Sequence, residues 1–103
     1  MIIKDIVETE YSPTRVEAEI RNRIRLSVAA YSYEFENVSI LSDGAFDALC
    51  LALDVTIETG NIELDFFFET EFEPCTGVWV HWHPDLEGLR YLYWKHYVGK
   101  KVY

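Results

Sequence analysis

The stretch Tyr31-Ser-Tyr-Glu-Phe-Glu-Asn-Val-Ser-Ile-Leu-Ser-Asp-Gly-Ala-Phe-Asp-Ala-Leu49 decides how the chain is read. It reads as the end of one amphipathic helix, a short turn, and a second helix opened by Ser42, whose hydroxyl suits the free N–H groups of a first turn. Asp43 and Asp47 are four residues apart and share a face of that second helix. Asp43 also lies in the first turn, where an anion meets the positive end of the helix dipole.

Upstream, Ser12-Pro13-Thr14 marks a helix start. Either Ser12 caps with Pro13 at the first helical position, or Thr14 caps with Glu17 in a capping box. The helix then runs to about Glu36. Val16, Ile20, Ile24, Val28, Tyr31 and Phe35 recur by threes and fours and predict a core-facing stripe, with Glu17, Arg21 and Arg25 as a charge ladder beside it. Tyr33 stands off that stripe. If the helix persists, Tyr33 is exposed or used by a ligand; if the last turn frays, it tucks back under the turn. Residues 1–11 alternate loosely and suit a short strand or an irregular lead-in, and the sequence leaves open whether they pair with residues 78–82.

Downstream, Phe46, Leu49, Cys50 and Leu53 predict a buried stripe. Asp43, Asp47, Asp54 and Glu58 would form an acidic ridge along its edge, with Thr59-Gly60-Asn61 ending the helix. Asn61 caps a third helix through Ile62, Leu64 and the phenylalanines 66–68, which cannot all face one way. Residues 69–77, where Glu69, Glu71 and Glu73 alternate, read as a loop punctuated by Pro74 and Gly77. Residues 78–82 alternate as a strand does and predict one short strand or an extended crossing over the core. Pro84, Asp85 and Glu87 open a last helix over 84–97, with His83 as a cap before it and Gly99 ending it. The expected fold is mainly α: one domain over residues 1–103, a small bundle of about four helices, with room for one short β-strand or hairpin.

The chain has 103 residues, half of them apolar, enough for one domain with one core. Its formal net charge of -9 argues against direct nucleic-acid binding and for a protein partner with a basic surface. The charge is uneven: the 64 residues from Leu26 to Leu89 hold thirteen Asp or Glu and no Lys or Arg. Such a segment cannot neutralise itself by local ion pairs. An acidic partner-binding face is expected from Glu34, Glu36, Asp54, Glu58, Glu69, Glu71 and Glu73. The opening residues do not read as a signal peptide and no run approaches a membrane span, so the expected location is the cytoplasm of a bacterium or of a phage-infected host cell, with no membrane partner. Two cysteines, Cys50 and Cys75, form no disulfide framework. Cys75, His81 and His83 match no structural-zinc spacing, and no metal site is expected.

The layout of residues 31–49, a pair of tyrosines followed by Ser-Asp-x-x-aromatic-Asp-x-Leu, resembles the small N-terminal helical domain of NAD-dependent bacterial DNA ligases. In that family the domain closes over NAD and contacts its nicotinamide mononucleotide (NMN) half through tyrosines and aspartates. The resemblance implies Tyr33, Asp43, Phe46 and Asp47 as ligand-binding residues, with NAD or NMN as ligand and no cofactor required. Phe46 stands where the family usually has tyrosine, and Glu34 where it usually has histidine. The first keeps an aromatic face and loses a hydroxyl. The second puts an anion near the nucleotide's phosphate, for which Arg21 and Arg25 are the nearest cations in sequence. Ligation is not expected, because the Lys-x-Asp-Gly motif of adenylation is missing: Lys4-Asp5 is followed by Ile6-Val7.

Two functions from different classes follow. One is a non-catalytic binding module that takes a nicotinamide nucleotide or docks on an enzyme using one. The other is an acidic inhibitor whose carboxylates stand in for phosphates in a basic channel, as in phage-encoded antagonists of nucleases and CRISPR complexes. Catalysis is not expected, since no base, nucleophile or metal set accompanies the acids.

Overall fold

The computed structural model describes residues 14–74 and 76–98. The Ser12–Pro13 cap, any strand in residues 1–11, Cys75 and the stop at Gly99 lie outside the described residues. Four α-helices follow one another: α1 (Arg15–Glu36), α2 (Asp43–Ala52), α3 (Ile62–Thr70) and α4 (Leu86–Tyr93). A 3-10 helix (Val78–Trp82) separates α3 from α4, and α4 continues into a π-helical segment (Trp94–Val98). The result is a small four-helix bundle in which α1 touches α2, the 3-10 helix and α4.

Each helix start is written locally. The Thr14 hydroxyl accepts from Glu17 N–H while the Glu17 carboxylate accepts from Thr14 N–H, a reciprocal capping box. Ser42 caps α2 by accepting from Ala45 N–H, and Asn61 caps α3 by accepting from Leu64 N–H. Asp85 caps α4 through Gly88 N–H, so α4 opens two residues after Pro84. The Asp85 N–H itself donates to His83 Nδ1 at 3.0 Å, so His83 does serve the start of α4. At its far end α1 stops at Asn37, in the left-handed region at φ 59°, which a short polar side chain tolerates. The Ser32 hydroxyl donates to the Val38 carbonyl and pins the exit.

The buried face of α1 follows the aliphatic stripe only in part. Val28 and Tyr31 are buried, but Val16, Ile24 and Phe35 are exposed, whereas Glu19, Arg23, Leu26, Ser27 and Ala30 are buried on a face turned roughly a quarter of the way round the helix. The cause is Arg23, only 4 % exposed. Its Nε donates to Glu19 Oε2 at 2.7 Å and Nη1 to Asp65 Oδ1 at 2.9 Å. Nη2 donates to the Asp54 and Ile57 carbonyls at 3.2 and 3.1 Å. The guanidinium also lies 5.0 Å from the centre of the Phe68 ring. Glu19 accepts in addition from Asp54 N–H, and Asp65 from the N–H and hydroxyl of Thr59. Burial works to raise the Asp65 pKa, but the bonds from Thr59 and Arg23 prevail and hold it below the usual carboxylate range.

Two expected boundaries are corrected. α2 ends at Ala52, with Leu53 already extended, so Asp54 and Glu58 lie beyond it and do not continue a helical ridge from Asp43 and Asp47. Residues 78–82 are a 3-10 helix, and no strand occurs among the described residues. Trp79 and Val80, adjacent in sequence, are both buried, which strict alternation forbids. The backbone is satisfied locally: Val80 N–H donates to Gly77 O and His83 N–H to Val80 O. Of the three phenylalanines, Phe67 and Phe68 are buried and Phe66 is 67 % exposed. Phe67, Phe68 and Phe72 surround the Trp79 ring, and His83 meets both Phe67 and Phe68 edge-on.

Replacing Arg23 by Met leaves Glu19 and Asp65 buried without their cation. The expected cost is about 3–5 kcal/mol in urea unfolding, the usual result of breaking one side of a buried pair; a cost below about 1 kcal/mol would show that the network does not set the face of α1. His83 gives a pH signature. Burial pushes its pKa down to about 4, with Asp85 opposing, so the folded state holds it neutral while the unfolded chain protonates near 6.5. Between those values the unfolded state binds more protons, so stability is full above pH 6.5 and falls as pH drops towards 4, by up to about 3 kcal/mol. A His83→Gln variant is expected to lose most of that slope in urea titrations at pH 7 and 4.5.

Candidate functional site

The end of α1 remains helical through Glu36, so Tyr33 projects away from the core and is 60 % exposed. The left-handed turn at Asn37 brings the chain back as α2, and Ser42 presents Asp43 and Asp47 on its first two turns. Facing them, the segment at Gly77 passes close to α1. A Cβ built there would lie 3.3 Å from the Ala30 Cβ and 3.7 Å from the Phe46 ring, so only glycine fits without displacement.

Together these elements enclose a groove of about 460 Å³. Tyr33, Asp43, Phe46 and Asp47, which the sequence singled out, all line it, and so does Glu34. Phe46 is half-buried and packs against the core, and Asp43 and Asp47 are exposed. The Glu34 carboxylate lies 2.9 Å from His81 Nε2, and the His81 ring lies 4.6 Å from Phe35, which ties the 3-10 helix to the last turn of α1. None of the described residues lining the groove is Lys or Arg. Arg25 lines a different, shallower cavity with Leu41 and Leu49.

The seven residues of the expected acidic face divide. Asp54 is held by Arg15 at 2.9 Å and by Thr56, whose hydroxyl and N–H hold its pKa low against the opposing effect of burial, with Arg15 and Arg23 adding to the lowering. Its N–H bonds Glu19, early in α1, whereas Glu34 and Glu36 lie near the end of that helix, roughly 20 Å away. Glu36 accepts from the Tyr31 hydroxyl at 2.8 Å; burial and this bond push the tyrosine pKa up to about 12. Glu58, Glu69, Glu71 and Glu73 are exposed. Glu34, Glu36 and Asp54 thus have partners inside the fold.

Among the described residues no group of three or more His, Cys, Asp or Glu is placed to hold a metal ion, and no helix is long and apolar enough to cross a membrane. Gly77, His81 and the buried Glu19–Arg23–Asp65 network are the participants that sequence reasoning missed. The four-residue spacing of Glu19 and Arg23, between Ile20 and Ile24, was the available signal for the network. Comparison with known proteins gives no match: no family model matches the chain, and no curated protein or solved structure matches it.

Phe46 as a half-buried wall and Tyr33 as a free rim make opposite demands on stability. Phe46→Ala is expected to cost about 2–3 kcal/mol in urea unfolding, somewhat less than a fully buried ring, and Tyr33→Ala less than about 0.5 kcal/mol. Equal costs would mean that Tyr33 is a packing residue.

Proposed function

We propose that this protein is a non-catalytic binding module whose groove between α1 and α2 takes the nicotinamide-ribose end of a nicotinamide nucleotide, NMN or NAD. The observation that carries the reading is the convergence of Tyr33, Phe46, Asp43 and Asp47 on one concave groove. An oxidised nicotinamide ring is cationic, and aromatic faces and carboxylates both favour it. The carboxylates also accept from ribose hydroxyls. The groove suits the phosphate less well, because the charged groups among its described lining residues are anionic, with Glu34 beside the two aspartates. The phosphate would leave towards solvent or towards a basic partner protein that completes the site.

A second reading rests on a separate observation. Glu69, Glu71 and Glu73 are exposed along the end of α3 and the turn after it, close in sequence to the exposed Phe66. An acidic edge with an aromatic group suits a basic protein surface, and a phage-type inhibitor of a nucleic-acid channel, such as an anti-CRISPR protein, would use it as a phosphate mimic. Either function would be exercised in the cytoplasm.

Thermal shift separates the two. At millimolar concentration nicotinamide riboside is expected to raise the melting temperature at least as much as NMN, and uncharged nicotinamide less, because a ligand of the folded state alone stabilises it. Asp43→Asn and Asp47→Asn are each expected to reduce the riboside shift. No shift with any of the three would reject the nucleotide reading. Capture of a nucleic-acid-binding protein from nuclease-treated lysate, weakening steeply with salt and lost on Glu69→Gln with Glu71→Gln, would then support the second.

A further inference from the structure

On the other side of α1 lies a cavity of about 530 Å³ unrelated to the groove. Its walls are mainly apolar, including Ile20 and Ile24 of α1, Leu64 and Phe68 of α3 and Leu89 and Leu92 of α4. Ser27 also lines it. This side chain is 1 % exposed, and its Oγ is the buried side-chain polar atom left without a hydrogen-bond partner among the described residues. A buried hydroxyl without a partner forfeits the hydrogen bonds it makes in water, so its retention beside a cavity calls for a group that fills it. His83 lines the same cavity. Its Nδ1 accepts from Asp85 N–H, which leaves the proton of the neutral ring on Nε2.

The buried charged groups nearby are already paired, and Asp85 in the lining is exposed. Arg23 is matched by two carboxylates and two carbonyls, and Glu19 and Asp65 accept from backbone as well as from Arg23. Asp85 Oδ1 is engaged with Gly88 N–H. An anion would find no unpaired cation among the described lining residues, and a charged group of either sign would be desolvated against mainly apolar walls.

We infer that this cavity is a second ligand site, for a neutral and mainly apolar small molecule, aromatic or hydrocarbon, carrying one hydroxyl or carbonyl that bonds the Ser27 hydroxyl. The volume lies within the range of small-molecule pockets, and apolar walls with one or two fixed polar groups are their usual chemistry. The site does not depend on the nucleotide reading.

The test uses the full chain and the neutral fluorophore N-phenyl-1-naphthylamine, whose emission rises in apolar surroundings. Saturable binding is expected, with amide NMR shifts centred on Ile24, Ser27, Leu64 and Leu89. In competition 2-naphthol should displace the probe about tenfold better than naphthalene, the value of one hydrogen bond, and 2-naphthoate should displace it poorly. Ser27→Ala should abolish the preference for naphthol over naphthalene while leaving the melting temperature of the free protein unchanged or raised, a combination that a purely structural serine would not give. Absence of saturable binding, shifts centred instead on Phe46 and Gly77, equal displacement by naphthoate, or an unchanged naphthol preference in Ser27→Ala would each overturn the assignment.

Discussion

A guanidinium that is taken out of water must be neutralised and its N–H groups matched, or the fold that buries it does not form. Arg23 meets this condition with partners from three places: Glu19 on its own helix, the carbonyls of Asp54 and Ile57 in the connector after α2, and Asp65 on α3. Satisfying all of them at once allows one rotation of α1 about its axis and one approach of α3. The side chains that follow on that face, Leu26, Ser27 and Ala30, are then carried inward, while Ile24 and Val16 are carried outward. A network of this kind adds little net stability over a packed apolar core of the same volume, but it penalises every arrangement that leaves one member alone. Its contribution is to the choice of structure.

The same rule explains which parts of the fold could be read from sequence. Helix starts were legible because each is a bond between a side chain and a backbone N–H three residues on: Thr14 with Glu17, Ser42 with Ala45, Asn61 with Leu64. Such bonds depend on neighbours alone. The buried face of α1 was legible at Val28 and Tyr31 but not in the first half of the helix, since aliphatic periodicity gives weight to Ile20 and Ile24 and none to an arginine whose partners lie 31 to 42 residues further along. The early end of α2 has a similar cause. Asp54 N–H is captured by Glu19, and Leu53 is drawn into an extended conformation to reach it. Residues 78–82 bond locally as a 3-10 helix with Trp79 and Val80 both buried, and alternation over five residues does not distinguish that turn from a strand.

In the groove, the side chains were more legible than their setting. Tyr33, Asp43, Phe46 and Asp47 lie either side of one tight turn, so helical geometry on both flanks nearly fixes their meeting. The opposite wall is distant in sequence. It depends on Gly77 passing against Ala30 and on His81 reaching Glu34, and no local pattern announces either contact. The His81 bond also has an electrostatic effect: it occupies one carboxylate oxygen of the most enclosed acid and leaves Asp43 and Asp47 as the outward-facing charges.

The two cavities differ in charge for a reason that lies in α1 itself. Towards its end this helix faces a segment with no Lys or Arg, so the acids gathered around Tyr33 keep their field. Nearer its start it carries Arg23, which draws Glu19 and Asp65 into a closed set of bonds and leaves the adjoining cavity with apolar walls and the Ser27 hydroxyl. One helix thereby offers an anionic aromatic groove on one side and a nearly uncharged pocket on the other. The selectivities expected of them are therefore opposite: the first discriminates by charge, and the second by apolar shape and a single hydrogen bond.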